Sequence, residues 1–208
     1  MRYKHTIVLL AVALASSAGL SAGTMFTPAK PGNAKIESSS VTIHGTSTLH
    51  EWDVKGSTIN GSIDANPELS RGMNAESWKK AGDPPATVKV VIPVTSIHSE
   101  SSKMDSLMLK ALKAKAFPEV RYEMTGATPA ANSSNVKTMG KLTIAGVTRD
   151  VAMDVTATRE GDMRYVMTGS STIKMTDYGI KPPTALLGTI KSGDVVKVTF
   201  RWVVERTQ

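Results

Sequence analysis

Val196, Val198, Phe200, Trp202 and Val204 are apolar and alternate without a break, with Lys197, Thr199, Arg201 and Glu205 between them. A period of two is the side-chain repeat of a β-strand, so this stretch is a strand with one dry face and one wet face. Other stretches repeat the pattern. Thr87 to Val94 puts Val88, Val90, Ile92 and Val94 on one face, with Val91 making the opposite face partly apolar. Pro93 there lacks a ladder donor and signals a strand edge or bulge. Val120, Tyr122 and Met124 alternate next. Val136 to Ile144 and Val147 to Thr158 read as a hairpin around Ala145-Gly146, with Val151, Met153 and Val155 alternating in its second arm. Met163 to Met175, with Tyr165, Met167 and Ile173 on one parity, follows a turn at Gly161-Asp162.

Upstream, Ala34 to Ile43 reads as a first strand, and Trp52 and Val54 belong to a second. Gly45, set among hydroxyl residues, reads as a turn or bulge between them. Ala65 to Pro85 is polar and carries Pro67, Gly72, Pro84 and Pro85, which predicts a surface loop. Ser192-Gly193-Asp194 reads as the final turn. Strands in a row, joined by short turns and without a βαβ rhythm, predict an antiparallel up-and-down sheet that curls closed.

One helix interrupts the strands. Met104, Leu107, Met108, Ala111 and Leu112 recur at helical spacing, with Lys103, Lys110 and Lys113 on the other face. Ser102 is the expected N-cap, with Asp105 completing a capping-box-like pair. Pro118 is the expected stop. A lone short helix in a sheet protein covers an open end or edge, here the expected mouth.

The N-terminus reads as a secretory signal. Arg2 and Lys4 precede an apolar run, Thr6 to Ala15, too short to span a bilayer. Small residues between Ala18 and Gly23 then offer cleavage sites. The expected layout is a signal peptide over 1–23, a flexible leader over 24–33 and one β-domain over 34–208, placed in the periplasm or secreted. Losing Arg2 and Lys4 takes the formal charge from +7 to +5. The remaining lysines are scattered rather than clustered, which speaks against a nucleic-acid partner and leaves room for transient membrane contact. With no cysteine, the domain has no disulfide, thiolate metal site or cysteine nucleophile and must stand on its core.

His44, His50 and His98 lack the spacing of a metal site, and Ser47, His50 and Asp53 have triad chemistry by type only. No cofactor, metal or catalytic residue is expected. The chain has 11 Met against 3 Phe. Such a composition suits core gap-filling, and equally a soft wall around a flexible apolar ligand. Met124, Met153 and Met167 fall on the expected inward parity.

The chain resembles the YceI-like family. Ile92-Pro93-Val94-Thr95-Ser96-Ile97 leading into the helix, Phe117-Pro118-Glu119-Val120, Gly140 to Arg149 and Asp177-Tyr178-Gly179-Ile180 carry the resemblance in order. The string Gly45-Thr46-Ser47-Thr48-Leu49-His50-Glu51-Trp52 is similar to a branch with a Gly-Thr-Ser-x-Leu-His-x-Trp start. The family's arginine-aspartate before the helix core is here Lys103-Met104-Asp105. The resemblance implies an extended, eight-stranded, antiparallel lipocalin-like barrel with a small helix, binding a polyisoprenoid, isoprenoid quinone or other amphiphilic lipid. Val90, Ile92, Met104, Leu107, Met108, Tyr122, Leu142, Met153, Tyr165, Phe200 and Trp202 are the expected ligand contacts. A filled barrel with a structural or stress-related role is the alternative, and an enzyme using the His50 region a third. The Lys181 to Gly188 loop, with Ala185, Leu186 and Leu187, reads as either an access rim or a plug.

Overall fold

The computed structural model of the chain describes residues 24–29, 38–66, 69, 77, 86–130 and 135–207. Its strands are β1 (Thr24–Pro28), β2 (Ser40–Ser47), β3 (Glu51–Gly56), β4 (Asn60–Ala65), β5 (Ala86–Pro93), β6 (Ile97–His98), β7 (Glu119–Pro129), β8 (Asn135–Ile144), β9 (Val147–Arg159), β10 (Arg164–Lys174), β11 (Thr184–Ala185) and β12 (Ile190–Arg206). Helix α1 (Ser102–Ala111) lies between β6 and β7.

Eight strands close a ring in the order β1-β4-β5-β7-β8-β9-β10-β12, because β1 pairs with β4 on one edge and with the end of β12 on the other. All neighbours are antiparallel, so the fold is the all-β barrel that the alternation predicts. Where β1 stops, β2 takes over the same edge of β12, from Ser40 opposite Arg201 to Gly45 opposite Val196. β3 then pairs with β2, and β6 with the end of β3. β5 runs through a tight turn, Val94–Ser96, directly into β6. The chain itself thus ties the two halves of the wall together.

Several local expectations differ from the structure. Thr24–Pro28 is a strand, not a flexible leader: Phe26 is fully buried, and β1 has ladder partners on both edges. One buried ring and two ladders outweigh the Pro/Gly/Ala composition of the stretch. Residues 1–23, where the signal segment is expected, lie outside the described residues. β2 begins at Ser40 and runs through Gly45, so Gly45 is neither turn nor bulge. Leu69, inside the expected surface loop, is fully buried in the core. β12 starts at Ile190, and the expected turn at 192–194 is a bulge: the register advances four positions along β12, from Ser192 to Val196, against two along β2, from Ser47 to Gly45. There the Asp194 carboxylate accepts from the Thr176 amide at 2.9 Å and the Thr176 hydroxyl at 2.6 Å, fastening the turn Met175–Tyr178 to the wall. Ala145 and Gly146 make the predicted tight turn, both with positive φ.

The helix differs at both ends. Its N-cap is Ser101, whose hydroxyl accepts from the Met104 amide. Asp105 caps nothing; its carboxylate reaches back to the Ser99 amide and hydroxyl, each at 2.7 Å. The helix stops well before Pro118, because Lys113 turns left-handed at φ 53.

Gly45 is explained by its partner across the sheet, Trp52. A Cβ on Gly45 would stand 2.2 Å from Trp52 Cζ2. The indole therefore lies over the bare backbone, and its N–H donates to the Thr46 carbonyl at 2.9 Å. Gly45→Ala is expected to displace the ring and destabilise by about 1–3 kcal/mol. A thermal-melting cycle with Trp52→Ala checks this: once the ring is gone, the same substitution should cost far less. Equal costs in both backgrounds would mean that the ring does not constrain Gly45.

Candidate ligand-binding site

The inward faces of the strands enclose a cavity of about 540 Å³. Its far end is sealed by an apolar cluster containing Phe26, Ile63, Ala65, Leu69, Ala86 and Val204. At the other end the cavity opens beneath α1. The helix presents Met104, Leu107, Met108, Ala111 and Leu112 to the space, the face that its periodicity predicts. No residue of α1 is fully buried. The reason is geometric: Met104, Leu107 and Met108 look onto open volume, while Ala111 and Leu112 pack against an apolar cluster around Ile173, Tyr178, Ile180 and Val196.

Ten of the eleven expected contacts line the cavity: Val90 and Ile92 from β5, Tyr122 from β7, Leu142 from β8, Met153 from β9, Phe200 and Trp202 from β12, and Met104, Leu107 and Met108 from α1. Tyr165 is the exception. It is buried in the closed end, edge-on to Phe26, with centroids 5.5 Å apart and an interplanar angle of 89°. Its parity is inward as expected, but strand parity does not tell depth along the barrel. Met124, Met153 and Met167 all face the cavity.

Sequence reading missed Trp52 and the wall from Met175 to Ile180. Trp52 was legible as apolar on β3, but only its pairing with Gly45 shows that the ring belongs to the lining. Tyr178 lies in a turn, where period gives no signal. It is buried, and burial, with the Asp177 charge second, pushes its hydroxyl pKa above the ordinary value. Arg149 donates from Nε to the Asp177 carbonyl at 3.0 Å and holds that turn to β9.

Polarity is segregated along the cavity. Lys103, His50, Ser101 and Thr184 line it and are exposed, so they mark the mouth. The other hydroxyl residues of the lining, Ser47, Tyr122, Thr138, Ser171, Tyr178 and Ser192, are buried or half-buried among aliphatic and aromatic neighbours. Burial raises the pKa of the Tyr122 hydroxyl, as expected in apolar surroundings.

The polar trio does not assemble into a triad. The Ser47 hydroxyl shapes its own turn, accepting from the Leu49 and His50 amides and donating to the His50 carbonyl at 2.7 Å. His50 donates from Nδ1 to the Glu51 carbonyl at 2.5 Å. Asp53 instead meets His44 Nδ1 at 2.9 Å. His98 Nδ1 lies 3.3 Å from Asp105. Among the described residues, no three His, Cys, Asp or Glu side chains gather as a metal site.

An apolar, singly sealed barrel with a helical cover is a lipocalin-like container. The model of the YceI-like domain matches residues 33–204, and the chain belongs to that family. Solved structures share the fold at low identity. Burkholderia cenocepacia BcnA is 17% identical, with a TM-score of 0.62 over 79% of this chain and 95% of that one. A polyisoprenoid binding domain from Saccharophagus degradans, implicated in plant cell wall breakdown, is 12% identical, with a TM-score of 0.61 over 88% of this chain and 98% of that one. The Campylobacter jejuni YCEI protein is 18% identical, with a TM-score of 0.56 over 74% of this chain and 85% of that one. No curated protein matches the chain.

The cover is pinned by Asp105, and that bond titrates. The two Ser99 hydrogen bonds, with His98 adding to them, hold the Asp105 carboxyl below its ordinary value of 3.8. The unfolded chain then binds that proton more tightly. The stabilisation from Asp105 is therefore complete above 3.8 and is lost as pH falls through the lower, folded value. Asp105→Ala should lower the melting temperature by a constant amount from about pH 5 upward, and the gap should narrow below about pH 4. A gap independent of pH down to strong acid would show that the carboxylate does not hold the cover.

Proposed function

We propose that this chain is an exported binding protein that carries a long apolar or amphiphilic molecule inside its barrel. The molecule is a polyisoprenoid, an isoprenoid quinone or a similar lipid. The observation that carries this reading is the cavity: about 540 Å³, sealed at one end, walled mainly by apolar side chains, with Lys103 and His50 at its mouth. Cavities of this size and lining suit small-molecule ligands. Each CH₂-sized group of a tail moved from water into it gains about 0.8 kcal/mol before ordering costs. The polar mouth suits a head group, with the tail pointing to the sealed end. Likeness to the polyisoprenoid binding domain of S. degradans supports the ligand class. The signal-like N-terminus supports export to the periplasm or beyond.

Binding without catalysis is the better reading, because Ser47, His50 and Asp53 spend their hydrogen bonds on separate partners. A filled barrel accords poorly with the open volume beneath α1.

Mass spectrometry of an organic extract of the purified protein is expected to find a stoichiometric lipid. Val155→Trp and Leu142→Trp place indoles inside the cavity. Together they should reduce the bound lipid by about ten-fold or more while the protein still folds. A wild type that yields no lipid and takes up no fluorescent polyprenyl probe would end this reading.

A further inference from the structure

The most exposed large apolar side chains of the described residues are not scattered. Leu49, Leu186 and Leu187 are 68%, 63% and 108% exposed, well above any other. Leu49 sits in the turn between β2 and β3; Leu186 and Leu187 sit in the turn Leu186–Gly188 between β11 and β12. Thr48 fastens the two turns together. Its amide donates to the Lys191 carbonyl at 3.0 Å and its hydroxyl to the Thr189 carbonyl at 3.3 Å, while the Lys191 amide donates to that hydroxyl at 3.2 Å. The three leucines therefore form one ridge on one rim. That rim is the mouth, since Leu186, Ala185 and His50 also line the cavity.

The ridge is held against local preference. Leu186 and Leu187 are consecutive left-handed residues, at φ 47 and φ 56. Non-glycine residues avoid this region, and a leucine gains nothing there from side-chain hydrogen bonding. Strain that exposes apolar groups next to a cavity opening points to a surface they are meant to meet. The charge around them says which surface. From Lys181 to Lys191 the chain carries two lysines, both exposed, and no acidic residue; beside Leu49, the one acidic neighbour, Glu51, lies 3.7 Å from His44 Nε2. Lys103 adds a third cation at the mouth.

We propose that this ridge docks the barrel, mouth first, on a bilayer that contains anionic phospholipid. The leucines enter the interfacial layer and Lys181 and Lys191 meet the head groups. The proposal stands on the rim and needs no particular ligand inside.

Flotation of the purified protein with vesicles tests it. Binding should be about ten-fold tighter to mixed phosphatidylcholine/phosphatidylglycerol vesicles than to phosphatidylcholine alone. Leu49→Ser with Leu187→Asn should weaken binding by about ten-fold or more. Neither residue lines the cavity, so retention of a fluorescent polyprenyl probe in vesicle-free solution should be unchanged. Leu187→Asn alone carries an opposite signature: asparagine tolerates the left-handed region, so the melting temperature should hold or rise while vesicle binding falls. Lys181→Glu with Lys191→Glu should abolish the preference for the anionic vesicles. The proposal is overturned if these variants bind vesicles like the wild type, or if Leu187→Asn lowers the melting temperature, which would make Leu187 a packing residue. Dimerisation of the wild type that the leucine substitutions dissolve would overturn it as well, because the ridge would then serve a second copy of the chain. Probe retention reports on the cavity separately, so its failure is distinguishable from failure to dock.

Discussion

Gly45, Gly140 and Gly169 each sit beneath an aromatic ring. A Cβ on these residues would stand 2.2 Å from Trp52, 2.3 Å from Tyr122 and 2.7 Å from Phe200. Gly45 faces Trp52 and Gly169 faces Phe200 directly across the ladder, while Gly140 lies diagonally from Tyr122. All three rings line the cavity, in a barrel whose eight-stranded ring has room for little more than its own side chains. By lying over bare backbone, the rings line the wall instead of filling the centre. Three missing methyl groups thus leave the volume on which every later property of the molecule depends. The same contact occurs at the mouth, where the Phe117 ring covers Gly146 at the tip of the β8–β9 hairpin.

The two ends of the barrel solve different problems. At the sealed end, β1 fills the gap between β4 and β12 and brings Phe26 into an apolar cluster with Leu69, Tyr165 and Val204. Among the described residues, β1 has a ladder partner on both edges and leaves no open edge there. At the other end the wall is completed by a two-residue strand, β6, and roofed by a helix whose last residue, Ala111, packs with Leu112 against a second apolar cluster around Ile173, Tyr178, Ile180 and Val196. A helix of this length has little stability of its own. It depends on its N-terminal tether through Ser101 and Asp105 and on whatever its apolar face meets. The cover is therefore tethered at its N-terminal end and packed at its C-terminal end, with the stretch between them over open volume.

Period-two alternation made the barrel and most of its lining legible, because an inward parity in a closed sheet has only one interior to face. It made β12 and β5 legible almost residue by residue. The misreadings share a cause. Gly45 and Gly193 read as punctuation, since glycine most often marks a turn, whereas both lie within strands. What mattered at Gly45 was the missing Cβ, and that shows only when the cross-strand partner is known. Thr24–Pro28 carried too short an apolar signal to outweigh its composition, yet one phenylalanine sufficed because two ladders hold the strand. Tyr165 was placed on the correct face and at the wrong depth. Depth follows from the stagger of the strands around the ring, which a single sequence does not encode in its periodicity.

Sealing one end and leaving the other open gives the cavity a direction. Under the proposed reading, an amphiphile can be accommodated without an unpaired polar group only when its tail lies toward Phe26 and Leu69 and its head remains near Lys103 and His50. The reverse orientation would put the head group among aliphatic side chains with few donors. A lipid leaves a membrane head-first and tail-last, because bilayer tails point away from the water that the head groups face, so a tail-inward guest must turn on the way in. A mouth that only opened into solvent would expose the whole tail during that turn. A mouth rimmed with exposed leucines shortens the aqueous path, since apolar contact begins at the rim. The left-handed leucines and the helical cover thus flank one opening, and both make physical sense as features of a passage rather than of a closed core.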